Sequence, residues 1–275
     1  MPYLVKPGAR VFYVLRGGGR PALALVHGWG GSHADWRPQL EYFSRSHMVL
    51  APDLREHGRS RADAASSCTV ENCAADLADL LADLALAQVV LVGHSLGCRV
   101  VLEAYLRARA RVAGLVLIEG RRSAPGVGEA AVAKARQFLT GTGYRPFLQK
   151  FFGGMFLPGS DPELRRQVLA RAEALDPEAG EAFFLSGVAW DARRMEPALS
   201  QVSAPLLVLQ STAFESGFQR RALHPGETTP WLELVRRQVP GARIEIISGP
   251  GHFVMREGPA QVNASLEAFL KRLEP

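Results

Sequence analysis

A serine between two glycines is the residue of this chain best suited to covalent chemistry. Residues 93–97 read Gly-His-Ser-Leu-Gly and match the G-x-S-x-G pattern, in which the serine sits on a sharp turn from a strand to a helix. A serine hydroxyl is a poor nucleophile until a base removes its proton. Ser95 is therefore a candidate nucleophile that needs partners from elsewhere in the chain.

The segments on either side of Ser95 predict the elements that such a turn requires. Residues 88–92 are apolar and β-branched, which predicts a short buried strand, and residues 98–107 predict a helix. The turn is tight, so a Cβ at Gly93 or Gly97 is expected to collide with the neighbouring strand or helix. This context strengthens the assignment of Ser95.

Strands and helices alternate over most of the chain. Strands are predicted at residues 3–5, 10–15, 22–26, 48–52, 88–92, 114–118, 205–209 and 243–247, and helices at 35–43, 69–86, 98–107 and 259–270. Such alternation predicts a mostly parallel sheet that helices cover on both faces. The predicted fold class is therefore α/β.

Four groups of polar or loop residues follow directly after predicted strands. They are residues 27–29, Ser95, Glu119 and His252. Ligands bind at the carboxyl ends of the strands in such sheets. The pattern therefore gathers these residues at one edge of the sheet.

Residues 121–203 interrupt the alternation, because they predict only helices. These helices are expected at residues 129–139, 146–152, 161–175, 178–187 and 191–199. Most of their large apolar side chains are expected to pack together, since such residues at helical spacing usually face a core, and a minority are candidates to line a pocket. We predict a helical lid at 121–203 over a core domain of residues 1–120 and 204–275.

Composition excludes several functional classes. The chain has 275 residues and a net charge of +5, but its arginines are scattered and form no basic stripe with interleaved aromatic residues, so no nucleic-acid partner is expected. No apolar run of membrane-spanning length occurs, and the first ten residues lack a signal-peptide core. Cys68, Cys73 and Cys98 have neither metal-ligand nor paired spacing, which predicts a reducing, cytoplasmic environment.

The motifs together resemble the α/β-hydrolase superfamily. The matching segments are residues 27–31, 53–60, 93–97 and 249–253, which stand in the order that this superfamily uses and cover nearly the whole chain. The resemblance implies an α/β-hydrolase fold with a mostly parallel sheet and a lid. It is much less specific for the reaction, because one fold hosts many chemistries.

The resemblance also implies roles for individual residues. His252 stands in the loop where the superfamily has its histidine, and a neutral imidazole there can take the Ser95 proton and return it to a leaving group. The backbone N–H groups of Leu96 and Trp29 are the expected oxyanion hole. The Trp29 indole either faces the substrate pocket or packs within its own loop and holds that loop in place.

Other polar residues near these motifs are expected to be structural. His27 is expected to hold the oxyanion loop, and the side chain of His94 to point away from the substrate. Asp53 is expected to bind backbone amides, with Arg55 and Arg59 in supporting roles. The histidines that belong to no recognisable cluster are His33, His47, His57 and His224.

Two glutamates are candidates for the acid that completes the set. The superfamily order is serine, acid, histidine, and the usual acid follows the strand at 205–209. Here Phe214 stands where an aspartate is expected, and Glu215 is one residue late. The other position known in the superfamily, found in haloalkane dehalogenases and cofactor-free quinolone dioxygenases, corresponds to Glu119. We favour Glu119 over Glu215, although Glu119 could also simply end a strand under the lid; either acid would orient the imidazole.

The leading hypothesis is a serine hydrolase that cleaves a carboxylic ester or lactone through an acyl-enzyme on Ser95. The aromatic lid favours a small substrate with an apolar acyl or aryl group, no cofactor or metal is needed, and the chain is expected to be a monomer or homodimer. Two alternatives stay open: a cofactor-independent dioxygenase of the quinolone ring-cleaving type, and a ligand-binding receptor on the same fold. Dehalogenation is disfavoured because that family has aspartate in place of Ser95.

Overall fold

A mixed sheet lies at the centre of the computed structural model, which describes residues 2–122 and 128–273. The strands are β1 (Tyr3–Lys6), β2 (Ala9–Arg16), β3 (Ala22–Val26), β4 (Val49–Pro52), β5 (Arg61–Ala62), β6 (Val89–His94), β7 (Val112–Ile118), β8 (Leu206–Gln210), β9 (Thr212–Phe214), β10 (Arg220–Ala222) and β11 (Arg243–Ile246). The sheet order is β1-β2-β4-β3-β6-β7-β8-β11, with β5 beside β2, while β9 and β10 form a separate hairpin.

In the sheet order, neighbouring strands are parallel along the stretch β4-β3-β6-β7-β8-β11. Strand β2 is antiparallel to both β1 and β4. Every residue of β3, β4, β6 and β8 is buried. Continuous apolar strands of this kind form where helices cover both faces of a parallel sheet. The predicted mostly parallel architecture is therefore confirmed.

Helices surround this sheet and are capped by signals that are visible in the sequence. They are α1 (Arg37–Phe43), α2 (Val70–Asp83), α3 (Leu96–Ala108), α4 (Gly128–Thr142), α5 (Tyr144–Gly153), α6 (Pro162–Ala174), α7 (Pro177–Arg193), α8 (Met195–Ser200), α9 (Pro230–Gln238), α10 (Val254–Glu257) and α11 (Pro259–Lys271). Thr69, Asp161 and Asp176 accept backbone N–H bonds as N-caps of α2, α6 and α7. Across 2–122 and 128–273, no helix is both long and apolar enough to cross a membrane.

The chain between β7 and β8 contains α4 to α8. One predicted boundary is wrong: the helices expected at 178–187 and 191–199 are instead α7, which continues through Trp190 to Arg193, and the short α8. No glycine or proline lies between Gly187 and Arg193 to end α7 earlier. Residues 123–127 of the predicted lid lie outside the described residues, and the division into a 121–203 lid and a core of 1–120 and 204–275 stays a prediction.

No element is predicted between residues 210 and 242, but this segment contains the β9–β10 hairpin and α9. Arg220 of β10 pairs with Phe214 of β9 in the hairpin. Thr229 caps α9 and Pro230 occupies its first turn, which are ordinary start signals. The hairpin matters for function because it brings Arg220 beside the candidate site.

Candidate active site

Ser95 lies on a strained turn between β6 and α3. Its backbone has φ 54° and ψ −113°, a region that costs a non-glycine residue about 1–3 kcal/mol. A Cβ on Gly93 would lie 2.4 Å from the Gly97 carbonyl oxygen, and a Cβ on Gly97 would lie 2.4 Å from the Val26 carbonyl oxygen. The expectation that larger residues would collide at both glycines is therefore confirmed.

The sheet register places Ser95 and Glu119 at the ends of adjacent strands. His94 of β6 pairs with Ile118 of β7, and each is followed directly by a candidate residue. The Ser95 N–H donates to the Ile118 carbonyl oxygen at 2.9 Å, and the Glu119 N–H donates to the Leu209 carbonyl oxygen at 2.9 Å. Both residues therefore stand at the carboxyl edge, as predicted.

His252 and Glu119 share a buried hydrogen bond. The Nδ1 atom of His252 lies 3.0 Å from Oε2 of Glu119, and the two residues are 2% and 0% exposed. Because Nδ1 carries the proton that is donated to the carboxylate, Nε2 is the unprotonated nitrogen of the neutral ring. His252 and Ser95 line the same cavity.

A set of further donors fixes the Glu119 carboxylate. Oε1 accepts from the N–H groups of Ser211 and Thr212 at 2.5 and 2.9 Å and from the Ser211 hydroxyl at 3.1 Å. Oε2 accepts from the Thr212 hydroxyl and from Nη1 of Arg220, the latter at 3.0 Å. Glu119 is therefore held in one orientation toward His252.

Burial lowers the pKa of His252 well below its ordinary value, and the charge of Arg220 lowers it further. His94 and Arg121 act in the same direction. Each effect disfavours the imidazolium form. The His252 ring is therefore neutral at neutral pH, the state in which it can accept a proton.

Glu215 does not join this cluster. Its side chain is 51% exposed, and its Oε1 atom lies 3.5 Å from Nε of Arg221. It stands directly before a short turn that follows β9, and its side chain makes no cap hydrogen bond there. Of the two candidate acids, the structure brings Glu119 and not Glu215 to His252.

Two buried histidines hold the loop at residues 27–31. Nε2 of His27 accepts the Leu54 N–H at 2.9 Å, and its Nδ1 donates to the Gly28 carbonyl oxygen at 2.7 Å. Nε2 of His57 accepts the Gly30 N–H at 3.0 Å. Burial lowers the pKa of His57 to about 3, so it remains a neutral acceptor. His27 has the structural role that we expected. The similar role of His57 was not predicted, because its partner Gly30 lies 27 residues away in sequence.

The predicted oxyanion donors remain unused by the protein. Within residues 2–122 and 128–273, the N–H groups of Trp29 and Leu96 meet no protein acceptor, while the Gly30 and Gly31 N–H groups are both bonded. A Cβ on Gly28 would lie 3.0 Å from Cβ of Ser95, so this loop lies directly against the turn. Trp29 and Leu96 thus border the position of Ser95 with free donors.

His94 directly precedes Ser95 and is among the residues that line the cavity. Its Nε2 lies 2.9 Å from the His252 carbonyl oxygen, and the expectation that its side chain points away from the substrate stays a prediction. The loop after β11 folds back over the end of β6. Burial lowers the pKa of His94 to about 4, so the neutral ring supports the loop that holds His252.

The structural assignments of the 53–60 segment hold. Oxygen atoms of Asp53 accept the N–H groups of His33 and Arg59 at 2.7 and 2.9 Å. Arg55 donates to both oxygens of Asp76, at 2.7 and 2.8 Å. Asp53 thus binds backbone amides as expected and lies outside the Ser95 cluster.

Aromatic side chains form one wall of the cavity at Ser95. The Trp29 ring centroid lies 5.4, 5.2 and 5.7 Å from those of Phe151, Phe152 and Phe184. These phenylalanines come from α5 and α7, and together with Met155 they are the minority of the large apolar residues of the helical segment that line the pocket. The cavity has a volume of about 50 Å³, and this apolar wall lies beside Ser95.

The comparison with known proteins assigns this arrangement to a family. Residues 23–265 match the alpha/beta hydrolase family, which is most of the chain. The chain belongs to the alpha/beta hydrolase family. The predicted α/β-hydrolase fold and superfamily resemblance are therefore confirmed.

The relatives of this alpha/beta hydrolase have several different activities. A non-heme haloperoxidase of Rhodococcus erythropolis is 41% identical over 121 residues, which is 43% of this chain and 43% of that protein, so the match spans less than half of each. A thermophilic esterase from Thermogutta terrifontis is 25% identical, with a TM-score of 0.80 over 99% of this chain and 97% of that one. Est816, described as an N-acyl homoserine lactone degrading enzyme, has a TM-score of 0.78 at 22% identity, covering 98% of this chain and 100% of that one, and shows the fold alone.

Three buried or partly buried arginines of this alpha/beta hydrolase surround the site and were not singled out from the sequence. Arg99 donates to both carboxylate oxygens of Asp191 at 2.6 Å and to the Ser95 carbonyl oxygen at 3.3 Å. Arg220 binds Glu119, and Arg121 lines the cavity. The signal in the sequence that could have pointed to one of these arginines was the position of Arg99, which lies one helical turn after Ser95.

Proposed function

We propose that this chain is a serine hydrolase that cleaves a carboxylic ester or lactone through an acyl-enzyme on Ser95. The observation that carries this proposal is the buried hydrogen bond of 3.0 Å between His252 Nδ1 and Glu119, beside a cavity that Ser95 shares. A nucleophile, a base and an orienting acid are the parts that acyl transfer requires. The likeness to the esterase from Thermogutta terrifontis, at 25% identity over nearly both whole chains, supports an ester substrate.

In the acylation step, Nε2 of His252 removes the proton as Ser95 Oγ attacks the carbonyl carbon. The carbonyl oxygen becomes an oxyanion that accepts hydrogen bonds from the Trp29 and Leu96 N–H groups, and the N-terminus of α3 favours the same negative charge. Glu119 stabilises the imidazolium. His252 then protonates the leaving alkoxide as the C–O bond breaks.

In the deacylation step, water takes the place of the alcohol. His252 removes a proton from the water, whose oxygen attacks the acyl carbon, and the proton returns to Ser95 Oγ as the acid leaves. In a lactone, the alcohol stays attached to the acyl group, so the product is a single hydroxy acid. The aromatic wall of Trp29, Phe151, Phe152 and Phe184 accommodates the apolar part of either substrate.

A panel of wild-type assays tests the reaction class. We expect saturable hydrolysis of short p-nitrophenyl esters or of small lactones, without oxygen consumption. The rate of hydrolysis is measured with a pH-stat. Oxygen uptake with a hydroxyquinolone would instead favour the dioxygenase hypothesis, in which His252 deprotonates the substrate. Tight binding of an apolar ligand with no turnover of any ester or lactone would favour the receptor hypothesis, and either result overturns the hydrolase proposal.

Burial is the largest cause of the low pKa of His252, and the charge of Arg220 is expected to add to it and so to shift the acid limb of the pH profile. Arg220 lowers the pKa of His252, so its removal stabilises the imidazolium and raises that pKa. Because kcat/KM reports the base of the free enzyme, Arg220→Gln should move the acid limb to higher pH. The measurement is kcat/KM against pH, with circular dichroism to verify folding.

Arg220→Lys is the matched control for this experiment, since it keeps the positive charge but not the guanidinium geometry. It should leave the acid limb near its wild-type position. An acid limb that moves equally in both variants would show that hydrogen-bond geometry, rather than charge, controls His252.

A further inference from the structure

Arg121 brings a positive charge without a carboxylate partner to the wall of the active-site cavity. It lines the same space as Ser95 and His252. Among residues 2–122 and 128–273, its guanidinium forms no ion pair and no hydrogen bond. The neighbouring arginines are each paired: Arg99 with Asp191, Arg122 with Glu196, Arg220 with Glu119 and Arg221 with Glu227.

Two aromatic rings contact the Arg121 guanidinium. Its central carbon lies 4.2 Å from the centroid of Phe214 and 5.8 Å from that of Phe151. Such cation–π contacts offset part of the cost of removing the charge from water. Because a phenylalanine ring has no oxygen or nitrogen acceptor, the N–H donors of the guanidinium remain available for a ligand.

The surroundings of Arg121 favour an anion. Burial, together with the charges of Arg99 and Arg220, lowers its pKa to about 9, while the charge of Asp191 acts in the opposite direction. The guanidinium of Arg121 still carries its charge at neutral pH. Guanidinium groups outnumber carboxylates in its surroundings. An anionic ligand would supply the missing negative charge, since Arg121 is partly buried and a charge withdrawn from water without a partner is costly.

Arg121 also borders a second, outer cleft of about 410 Å³, whose lining includes Arg122, Arg220 and Arg221. The guanidinium therefore stands between this cleft and the cavity at Ser95. The lining has four arginines and one carboxylate, Glu215, so positive charge predominates in this cleft and raises the local concentration of anions. Both spaces that meet at Arg121 thus favour a negatively charged molecule.

We propose that Arg121 binds a carboxylate of the substrate, so that the ester or lactone cleaved at Ser95 carries a negative charge. Guanidinium groups bind carboxylates through two parallel N–H···O bonds, a geometry that lysine cannot reproduce. The aromatic wall then contacts the apolar part of the same molecule. This inference rests on the proposed function and adds the substrate class to it.

Matched substrate pairs test this role. Phenyl hydrogen succinate and its methyl ester differ by a charge on the acyl side, and acetoxyacetate and acetoxyacetamide differ by a charge on the alcohol side. The wild type should prefer the charged member of at least one pair. Arg121→Met should lower the ratio of kcat/KM for the charged over the neutral member by about 10–100-fold, and Arg121→Lys should restore part of it. A wild type that prefers the neutral member of both pairs, or a ratio unchanged in Arg121→Met, overturns the inference.

Binding to the Ser95→Ala variant separates this inference from the proposed function. In titration calorimetry, that variant should bind the charged member of the preferred pair, and the added Arg121→Met substitution should abolish the preference. If this binding depends on Arg121 while the wild type hydrolyses nothing, the hydrolase proposal fails and the carboxylate site stands. If hydrolysis depends on Ser95 but binding ignores Arg121, the carboxylate site fails alone.

Discussion

Replacing Ser95 with alanine is expected to lower kcat for ester hydrolysis by about 10⁵–10⁶-fold, the range in which removal of a serine nucleophile falls. Without the Oγ atom no acyl-enzyme forms, and the remaining rate comes from substrate binding and the N–H groups of Trp29 and Leu96. The measurement is kcat for the best ester of the panel, with thermal unfolding to compare stability. A Ser95→Ala variant with wild-type kcat would contradict the covalent mechanism.

Ser95→Gly is the control for the strained backbone. Ser95 has φ 54°, a conformation that glycine adopts more easily than alanine. Both variants lack the hydroxyl, so both should lose activity equally even if their stabilities differ. Unequal losses would indicate that part of the effect comes from the turn and not from the missing nucleophile.

The second large effect is expected at Glu119, where glutamine should lower kcat by about 10³–10⁴-fold. Glutamine keeps the shape of the side chain, but its amide can donate to Nδ1 of His252 and stabilise the wrong tautomer, and it cannot stabilise the imidazolium. The measurement is kcat and KM for the same ester. Glu215→Gln is the matched control, and its exposed site predicts wild-type kinetics.

Loss of the Glu119 charge also leaves Arg220 without its carboxylate, so the folding of Glu119→Gln has to be verified. Near-ultraviolet circular dichroism serves for this, and Glu119→Asp offers a second variant that keeps the charge on a shorter side chain. It should be more active than Glu119→Gln. Activity lost in Glu215→Gln but kept in Glu119→Gln would contradict the assignment of the acid.

The residues that sequence reasoning located well are those announced by local pattern. Short apolar runs mark β6 and β7, and Ser95 and Glu119 follow them directly, so these runs placed both residues at the sheet edge. The two glycines at 93 and 97 indicated a tight turn for steric reasons that the structure reproduces. Here local signals and tertiary structure agree.

The choice between the two acids could not be made from local pattern, because it depends on which carboxylate reaches His252. Glu119 is 133 residues from His252 in sequence, and only the sheet register and the loop after β11 bring them together. Arg220 was missed for a similar reason. It lies in the three-residue strand β10, which is too short to show periodicity and is defined by pairing with β9.

His94 and Arg121 illustrate a different limit. Their residue types and neighbours give no indication of function, because their placement depends on how the cavity closes over the sheet edge. The ring of His94 contacts the His252 carbonyl oxygen, and the guanidinium of Arg121 contacts Phe214 and Phe151. In each case the contacting residues are far apart in sequence. Contacts of this kind become visible only when the packed structure is known.

Covalent labelling with a fluorophosphonate is the measurement that tests most directly whether Ser95 is an activated nucleophile. The reagent is attacked by a serine Oγ, loses fluoride and leaves a stable phosphonyl ester that peptide mass spectrometry can locate. We predict one adduct, on Ser95, that is absent in Ser95→Ala and forms much more slowly in Glu119→Gln than in Glu215→Gln. An adduct elsewhere, or no adduct on Ser95 in a folded enzyme that hydrolyses esters, would contradict the account.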